Sequence, residues 1–200
     1  MIVRGAMANH LVLPRRFPAS FRFLPVAFIE DGATAGQDDL VVEGAGWYEF
    51  GVLSSSLHYE WMRTVAVESN GFWKYDLRRV YNNFIWPGPT FDVEMTEELF
   101  VPIKEGIASA AKAIAAARAA HPDFTFEKHY PDEAMPEDIR AAHKRNDEAV
   151  ARAYGVDFGP AASADFTRHF LTYAKAMEAV KHLPRDREPP RWHGGVRPRR

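Results

Sequence analysis

Four cationic side chains, Arg63, Lys74, Arg78 and Arg79, fall between residues 63 and 79, and Trp47, Trp61, Trp73 and Trp86 lie among and around them. Guanidinium and ammonium groups neutralise phosphates and donate to base edges. Indole rings stack on bases, and side-chain amides such as those of Asn82 and Asn83 pair with adenine edges. Arg22, further upstream, joins the candidate set. Each residue also has a plainer reading. The cations suit a solvated rim, Trp61 and Trp86 sit at apolar spacing and belong to a core, and the two asparagines suit a turn. His121 and His129 flank Asp123 and Glu127. That grouping is either a metal site or a surface loop, and nothing in its spacing fixes a tetrahedral ligand set. His58 reads as structural.

The elements that must position these side chains change character along the chain. His10–Pro14, Phe21–Ile29 and Leu40–Val42 are β-branched or aromatic and read as strands, with Pro25 marking an edge or bulge. From Trp47 the period becomes helical. Phe50, Leu53, Leu57, Trp61 and Val65 form one stripe, and Ser54, Ser55 and Ser56 are small enough for a neighbour to approach closely. Ser69-Asn-Gly71 turns the chain. Phe72–Tyr75 and Val80–Phe84 read as strands, and Pro87-Gly-Pro89 marks a boundary. A helix is expected over 102–119, with Leu99, Ile103, Ile107, Ala110, Ile114 and Ala117 in its stripe. Another opens at Pro136 and carries Ile139, Asn146, Val150 and Ala153. A third is expected after Ser163, with Phe166, Phe170, Tyr173, Met177 and Val180. The expected fold class is α+β. Residues 1–90 form a β-rich unit with one long helix, 91–182 a small helical unit, and 183–200 a disordered basic tail.

Composition narrows the function classes. The chain has no cysteine, so disulfides and thiolate metal sites are excluded. No apolar run approaches a membrane span, and Met1–Arg4 lacks the pattern of a secretory signal, so a cytoplasmic protein is expected. Net charge is −2 over 200 residues. The basic residues concentrate in the tail and the acidic ones in the middle, which is not the footprint of a free-standing DNA binder.

Two motif groups carry a family resemblance. Phe50-Gly-Val-Leu-Ser-Ser-Ser-Leu-His-Tyr-Glu-Trp-Met-Arg63 is followed by Tyr81-Asn-Asn-Phe-Ile-Trp-Pro87. Later come His129-Tyr-Pro-Asp132, Ala134-Met-Pro136, Ala142-His143, Asn146-Asp-Glu-Ala-Val150 and Tyr154-Gly155. In this order the text resembles the MmeI-like, type IIL or IIG, restriction–modification enzymes from about His10 to about Lys181. Those enzymes join a nuclease, an adenine-N6 methyltransferase, a target-recognition domain and a helical C-terminal domain. The resemblance covers the last two. It implies double-stranded DNA as partner, with Arg22, Arg63, Lys74, Arg78 and Arg79 as its contacts. It also implies S-adenosylmethionine as the cofactor of a methyltransferase domain outside this chain, on the same longer polypeptide or on a separately encoded subunit. Where family members have Gly-Arg-Leu-Lys and then Tyr-Arg-Tyr-Ser after the helix, this chain has Ala66-Val-Glu-Ser-Asn-Gly-Phe-Trp-Lys-Tyr-Asp76. That loss of cations keeps a second expectation open: a non-catalytic remnant or protein-interaction module.

A methyltransferase needs a glycine-rich turn for the cofactor and an Asn/Asp-Pro-Pro-aromatic loop for the flipped adenine. The chain has no Asn-Pro or Asp-Pro dipeptide, and its Pro189-Pro190 lies in the tail. The nuclease pattern needs Asp/Glu-x-Lys after a Pro-Asp, and no such triplet occurs. There is no P-loop or His-Glu-x-x-His. No cofactor or metal is therefore expected on this chain. Incubating the purified chain with labelled S-adenosylmethionine and mixed-sequence DNA is expected to leave the DNA unlabelled; label on the DNA would reveal an unrecognised catalytic site.

Overall fold

The computed structural model describes residues 9–30, 36, 38–88 and 95–154. The expected helix after Ser163 and the basic tail lie outside the described residues. Two small antiparallel sheets and a set of helices make an α+β fold. β1 (His10–Pro14) is central in the first sheet, between β3 (Ala27–Ile29) and β4 (Asp39–Glu43). Leu11 pairs with Val42 and Leu13 with Leu40, so these four side chains share a face, and all four are buried. The second sheet orders β2 (Arg16–Pro18), β6 (Phe72–Lys74) and β5 (Val67–Ser69).

The strand expected over Phe21–Ile29 is shorter than its composition suggests. Only Ala27–Ile29 pairs with β1. Phe21, Phe23, Leu24 and Val26 are all buried, a run without the alternation of a half-exposed strand. Pro25, which lacks an N–H, lies within that run.

The one long helix is also corrected. α1 (Trp47–Leu53) stops, and α2 (Ser56–Val65) begins with Ser55 as its N-cap. The Ser55 hydroxyl accepts from the His58 N–H at 3.2 Å while donating to the Val52 carbonyl at 2.7 Å. Serine competes for backbone bonds in this way and favours caps over helix interiors. The apolar stripe continues across the break, so its spacing alone concealed it.

A third correction concerns Val80–Phe84, expected as a strand. The chain instead forms a single π-helical turn, Leu77–Tyr81, closed by Asn82 N–H to Leu77 O at 2.8 Å. Asp76 caps it by accepting from the N–H groups of Arg78 and Arg79. Val80 and Tyr81 are both buried, and a strand with one solvated face does not bury successive side chains. The Trp61 indole donates to the Val80 carbonyl at 2.9 Å, tying α2 to this turn.

α3 (Glu97–Ala119) starts earlier than expected, because the Thr96 side chain caps it by accepting from Leu99 N–H. Pro102 lies inside the helix. Its missing N–H frees the Glu98 carbonyl, on an exposed residue near the helix start. The stripe is rotated as well: Phe100, Ile107, Ala111, Ile114 and Arg118 are buried, while Leu99 is 59% exposed. After the short α4 (Phe126–His129), α5 (Glu137–Ala153) buries Ile139, Asn146, Val150 and Ala153 as expected.

The core is continuous across residue 90. Gly51 of α1 faces both α3 and α5: a Cβ there would lie 2.6 Å from Ile107 Cγ2, 2.9 Å from Asn146 Oδ1 and 3.1 Å from Ala111 Cβ. Trp61 is 3% exposed. Trp61→Ala is expected to destabilise the protein by about 3–5 kcal/mol, read as a lower urea midpoint. An unchanged midpoint would show that α2 does not anchor on this residue.

Candidate nucleic-acid interface

The second sheet has two unlike faces. Phe17 on β2 points inward and is buried. Its neighbours alternate outward, and the register places Arg16 opposite Lys74 and Pro18 opposite Phe72. On the other side Val67 opposes Lys74 and Ser69 opposes Phe72. Directly opposed residues share a face, so Arg16, Phe72, Lys74 and Val67 stand together on the outside. Asn70 at φ 54° and Gly71 at φ 77° make the tight β5–β6 turn, the left-handed pair that a two-residue hairpin requires. Val67 is 48% and Phe72 40% exposed, and both belong to the large apolar side chains that the core does not cover. The Arg16 guanidinium lies over the Phe72 ring, 5.2 Å from its centroid.

The five cations proposed from sequence stand on different elements. Lys74 is on this outward face. Arg78 and Arg79 follow β6 after three intervening residues, with exposed side chains and backbone N–H groups held by Asp76. Arg63 is exposed in the last turn of α2 and is ion-paired with Glu60 at 3.0 Å. Arg22 is half-buried with its guanidinium over the Phe23 ring, and its field acts on Asp147 and His143 and, together with that of Arg63, on Tyr59. Sequence reasoning missed Arg16 and Phe72. β2 is only three residues long, too short for alternation to register.

The tryptophans are engaged inside. Trp61 is core, Trp47 stacks on Phe28 with centroids 4.0 Å apart, and Trp86 is half-buried against Tyr81 and Phe84. Trp73 faces inward on β6 and is half-buried. The Asn83 amide donates to the Arg78 carbonyl at 2.6 Å, the turn-holding role, and Asn82 is exposed. His58 is buried, 2.9 Å from the Tyr75 hydroxyl, and burial pushes its pKa down to about 3. His121 pairs with Asp138 at 3.0 Å, and His129 is buried. Among the described residues no group of three or more side chains is placed to hold a metal ion, and no helix is long and apolar enough to cross a membrane.

Behind the face, a polar joint fixes α2 to the helical half. The Asp147 carboxylate of α5 accepts from Ser56 N–H at 2.7 Å and from the Ser56 hydroxyl at 2.6 Å. The Asn146 amide donates to the Gly51 carbonyl at 2.8 Å. Arg118 donates to the Val26 carbonyl at 2.7 Å and to the Tyr130 hydroxyl. Tyr130 and His143 Nε2 are 2.9 Å apart, and His143 Nδ1 lies 3.2 Å from the Ser54 carbonyl.

With this geometry in view, the comparisons are specific. The MmeI target recognition domain family matches residues 3–88, and the MmeI C-terminal domain family matches residues 103–181. The chain belongs to the MmeI family. Neither matched domain is a cofactor-binding methyltransferase domain. A solved structure of the Type IIL restriction-modification enzyme MmeI in complex with DNA matches with a TM-score of 0.74 and 27% identity. The match covers 86% of this chain and 22% of that one, so this chain spans about a fifth of the length of the enzyme it resembles. No curated protein matches.

Burial pushes the Asp147 carboxyl up to about 6 against the opposing pull of its two Ser56 bonds. A folded pKa above the unfolded value of about 4 means that the native state binds the proton more tightly. The group's contribution to stability is therefore full below pH ~4 and is lost as pH rises through ~6. Asp147→Asn removes the titration and keeps the shape. The stability of the parent relative to this variant is expected to fall by about 3 kcal/mol between pH 4 and pH 7.5. Urea melts at the two pH values check it, and a constant difference would refute it.

Proposed function

We propose that this chain is the DNA-reading portion of a restriction–modification DNA methyltransferase and performs no chemistry itself. The observation that carries the proposal is the outward face of the second sheet. Arg16 and Lys74 are directly opposed on neighbouring strands, and like charges in that position destabilise a sheet. A phosphate backbone relieves exactly that repulsion, and the exposed Phe72 beside it offers an aromatic surface to bases. Arg78 and Arg79 extend the positive edge, and their capped backbone leaves the side chains free to reach out. In this reading, the target is double-stranded DNA, the cell compartment is the cytoplasm, and methyl transfer to adenine N6 belongs to an S-adenosylmethionine-dependent module. That module lies on a longer polypeptide or on a separately encoded subunit.

A second reading, an interaction module without DNA, is favoured by one set of observations. Arg63 is ion-paired with Glu60, Arg22 is half-buried against Phe23, and the net charge is −2. Few cations remain for phosphate contact. The DNA reading therefore carries a quantitative expectation: weak, salt-sensitive binding by the isolated chain, near 10⁻⁴–10⁻⁶ M, with a logarithmic salt slope of about −2 to −4. Fluorescence anisotropy with a labelled duplex at two salt concentrations measures both. Charge reversal of Lys74, Arg78 and Arg79 together is expected to abolish binding, and deletion of residues 185–200 only to weaken it. Binding by the triple variant equal to the parent's would remove this face from the reading, and no binding by either protein would favour the interaction module.

A further inference from the structure

The π-helical turn that carries Arg78 and Arg79 is bonded at every peptide carbonyl. Those of Asp76, Leu77 and Tyr81 accept from backbone N–H groups. Those of Arg78 and Arg79 accept from the Asn83 amide, at 2.6 Å and 3.2 Å. That of Val80 accepts from the Trp61 indole at 2.9 Å. On the donor side, one oxygen of the Asp76 carboxylate accepts from the N–H of Arg78 at 2.8 Å and of Arg79 at 3.1 Å. Two side chains, Asp76 and Asn83, therefore hold both polar backbone groups of both arginines. Arg78, Arg79 and Asn83 are exposed, so water would satisfy these groups without such bonds. Upstream the turn is anchored by the buried Tyr75, whose N–H donates to the Arg15 carbonyl at 2.9 Å and whose hydroxyl lies 2.9 Å from His58 Nε2. The guanidinium groups are left outside this holding: among the described residues no ion pair engages either one, whereas Arg63 and Arg140 are both paired. A backbone so fixed beneath two unengaged cations is what a single π turn at a functional position offers.

We propose that Asp76 and Asn83 are positioning residues, which fix the backbone of Arg78 and Arg79 so that their guanidinium groups meet the phosphates of a DNA duplex from a prepared base. The inference rests on the DNA reading given above. Ordering a mobile segment at the moment of contact subtracts from affinity, and a face with few cations can least bear that loss. The sign of one charge makes the assignment testable. The Asp76 carboxylate stands beside two cations and repels phosphate. On charge alone, removing it strengthens DNA binding. A positioning role predicts the opposite: removal weakens binding although the edge becomes more positive. Asn83 carries no charge, so its removal tests the same holding with the electrostatics unchanged.

In the full chain, Asp76→Ala, Asp76→Ser, Asn83→Ala, Arg78→Gln and Arg79→Gln are compared with the parent by anisotropy of a labelled mixed-sequence duplex at low and at higher salt, with a urea midpoint for each. Asp76→Ala and Asn83→Ala are expected to weaken binding by about five- to tenfold with the salt slope unchanged, because both guanidinium groups still release counterions once bound. Arg78→Gln and Arg79→Gln are each expected to reduce the magnitude of the slope by about 0.9. Asp76→Ser keeps a hydroxyl that caps well and is expected to restore binding to the parent's level or above it. Binding by Asp76→Ala equal to or tighter than the parent's overturns the inference, and so does a failure of Asp76→Ser to restore it. An unchanged slope in both glutamine variants overturns it too, since the turn would then carry no phosphate contact. Should the urea melt show that Asp76→Ala does not fold, Asn83→Ala decides, and binding equal to the parent's overturns the inference. A parent that leaves the duplex unbound sinks the DNA reading and this inference with it, whereas a binding parent with an undiminished Asp76→Ala removes the positioning role and leaves the DNA reading standing.

Discussion

The Asp147 carboxylate, taken out of water and bonded to the first residue of α2, is the interaction on which the relation between the two halves rests. Burying an ionisable carboxylate costs several kcal/mol unless its oxygens are satisfied. Both oxygens find donors, and both donors belong to Ser56. The backbone N–H at the start of a helix is unpaired within the helix and faces the positive end of the dipole. α5 therefore supplies what the break after α1 leaves unsatisfied. One residue earlier, Asn146 bonds the Gly51 carbonyl, and Gly51 is where a methyl group would strike both α3 and α5. Apolar packing alone tolerates small slips between helices. A carboxylate matched to one N–H and one hydroxyl does not, because displacement by a turn leaves it buried without partners.

The second part of the joint is directional. His143 has its pKa held well below the usual range by burial, reinforced by Arg118, so it is neutral. Its Nδ1 lies against the Ser54 carbonyl and must carry the proton. Nε2 is then the acceptor for the Tyr130 hydroxyl, which in turn accepts from Arg118. Guanidinium, phenol, imidazole and peptide carbonyl form one donor-to-acceptor chain, each bond polarising the next. Arg118 keeps its charge despite burial through the Val26 carbonyl and the faces of Phe50, Phe126 and Tyr130, all within 5.3 Å of its Cζ. The chain reaches from α3, past the end of α4 and through α5, to the break between α1 and α2.

What the sequence made legible follows from which signals are local. The α5 face was readable because Ile139, Val150 and Ala153 repeat over four turns, and even Asn146 fell in register. The three serines were read as places of close approach, and they are buried against α5. The break at Ser55 was hidden because the apolar stripe runs straight through it. The deciding partner, Asp147, is 91 residues away. The π-helical turn was mistaken for a strand because Tyr81, Phe84 and Trp86 are aromatic. Its true determinant is Asp76 capping two consecutive N–H groups. The α3 stripe was misplaced by a fraction of a turn because Arg118, a core residue there, carries a charge that periodicity counts as outside. For the candidate interface, charge alone proposes Lys74, Arg78 and Arg79. It does not propose Arg16, since only the pairing of β2 with β6 brings it opposite Lys74.

The weak charge of the outward face is consistent with a reading role once the joint is considered. Phosphate neutralisation supplies affinity, while base contacts supply discrimination. A face with few cations is thus poor at holding DNA, but discrimination needs position more than charge. Position is what α2 provides: its N-terminus is fixed by Asp147, its middle by the Trp61 bond to Val80, and its last turn leads directly into the β5–β6 hairpin that carries Phe72 and Lys74. The hairpin is therefore attached through one short helix to the buried joint at Asp147. Such an arrangement suits an element that sets geometry while a larger assembly supplies the grip. The strands of the second sheet, three residues each, gain from that attachment a register they would not hold alone.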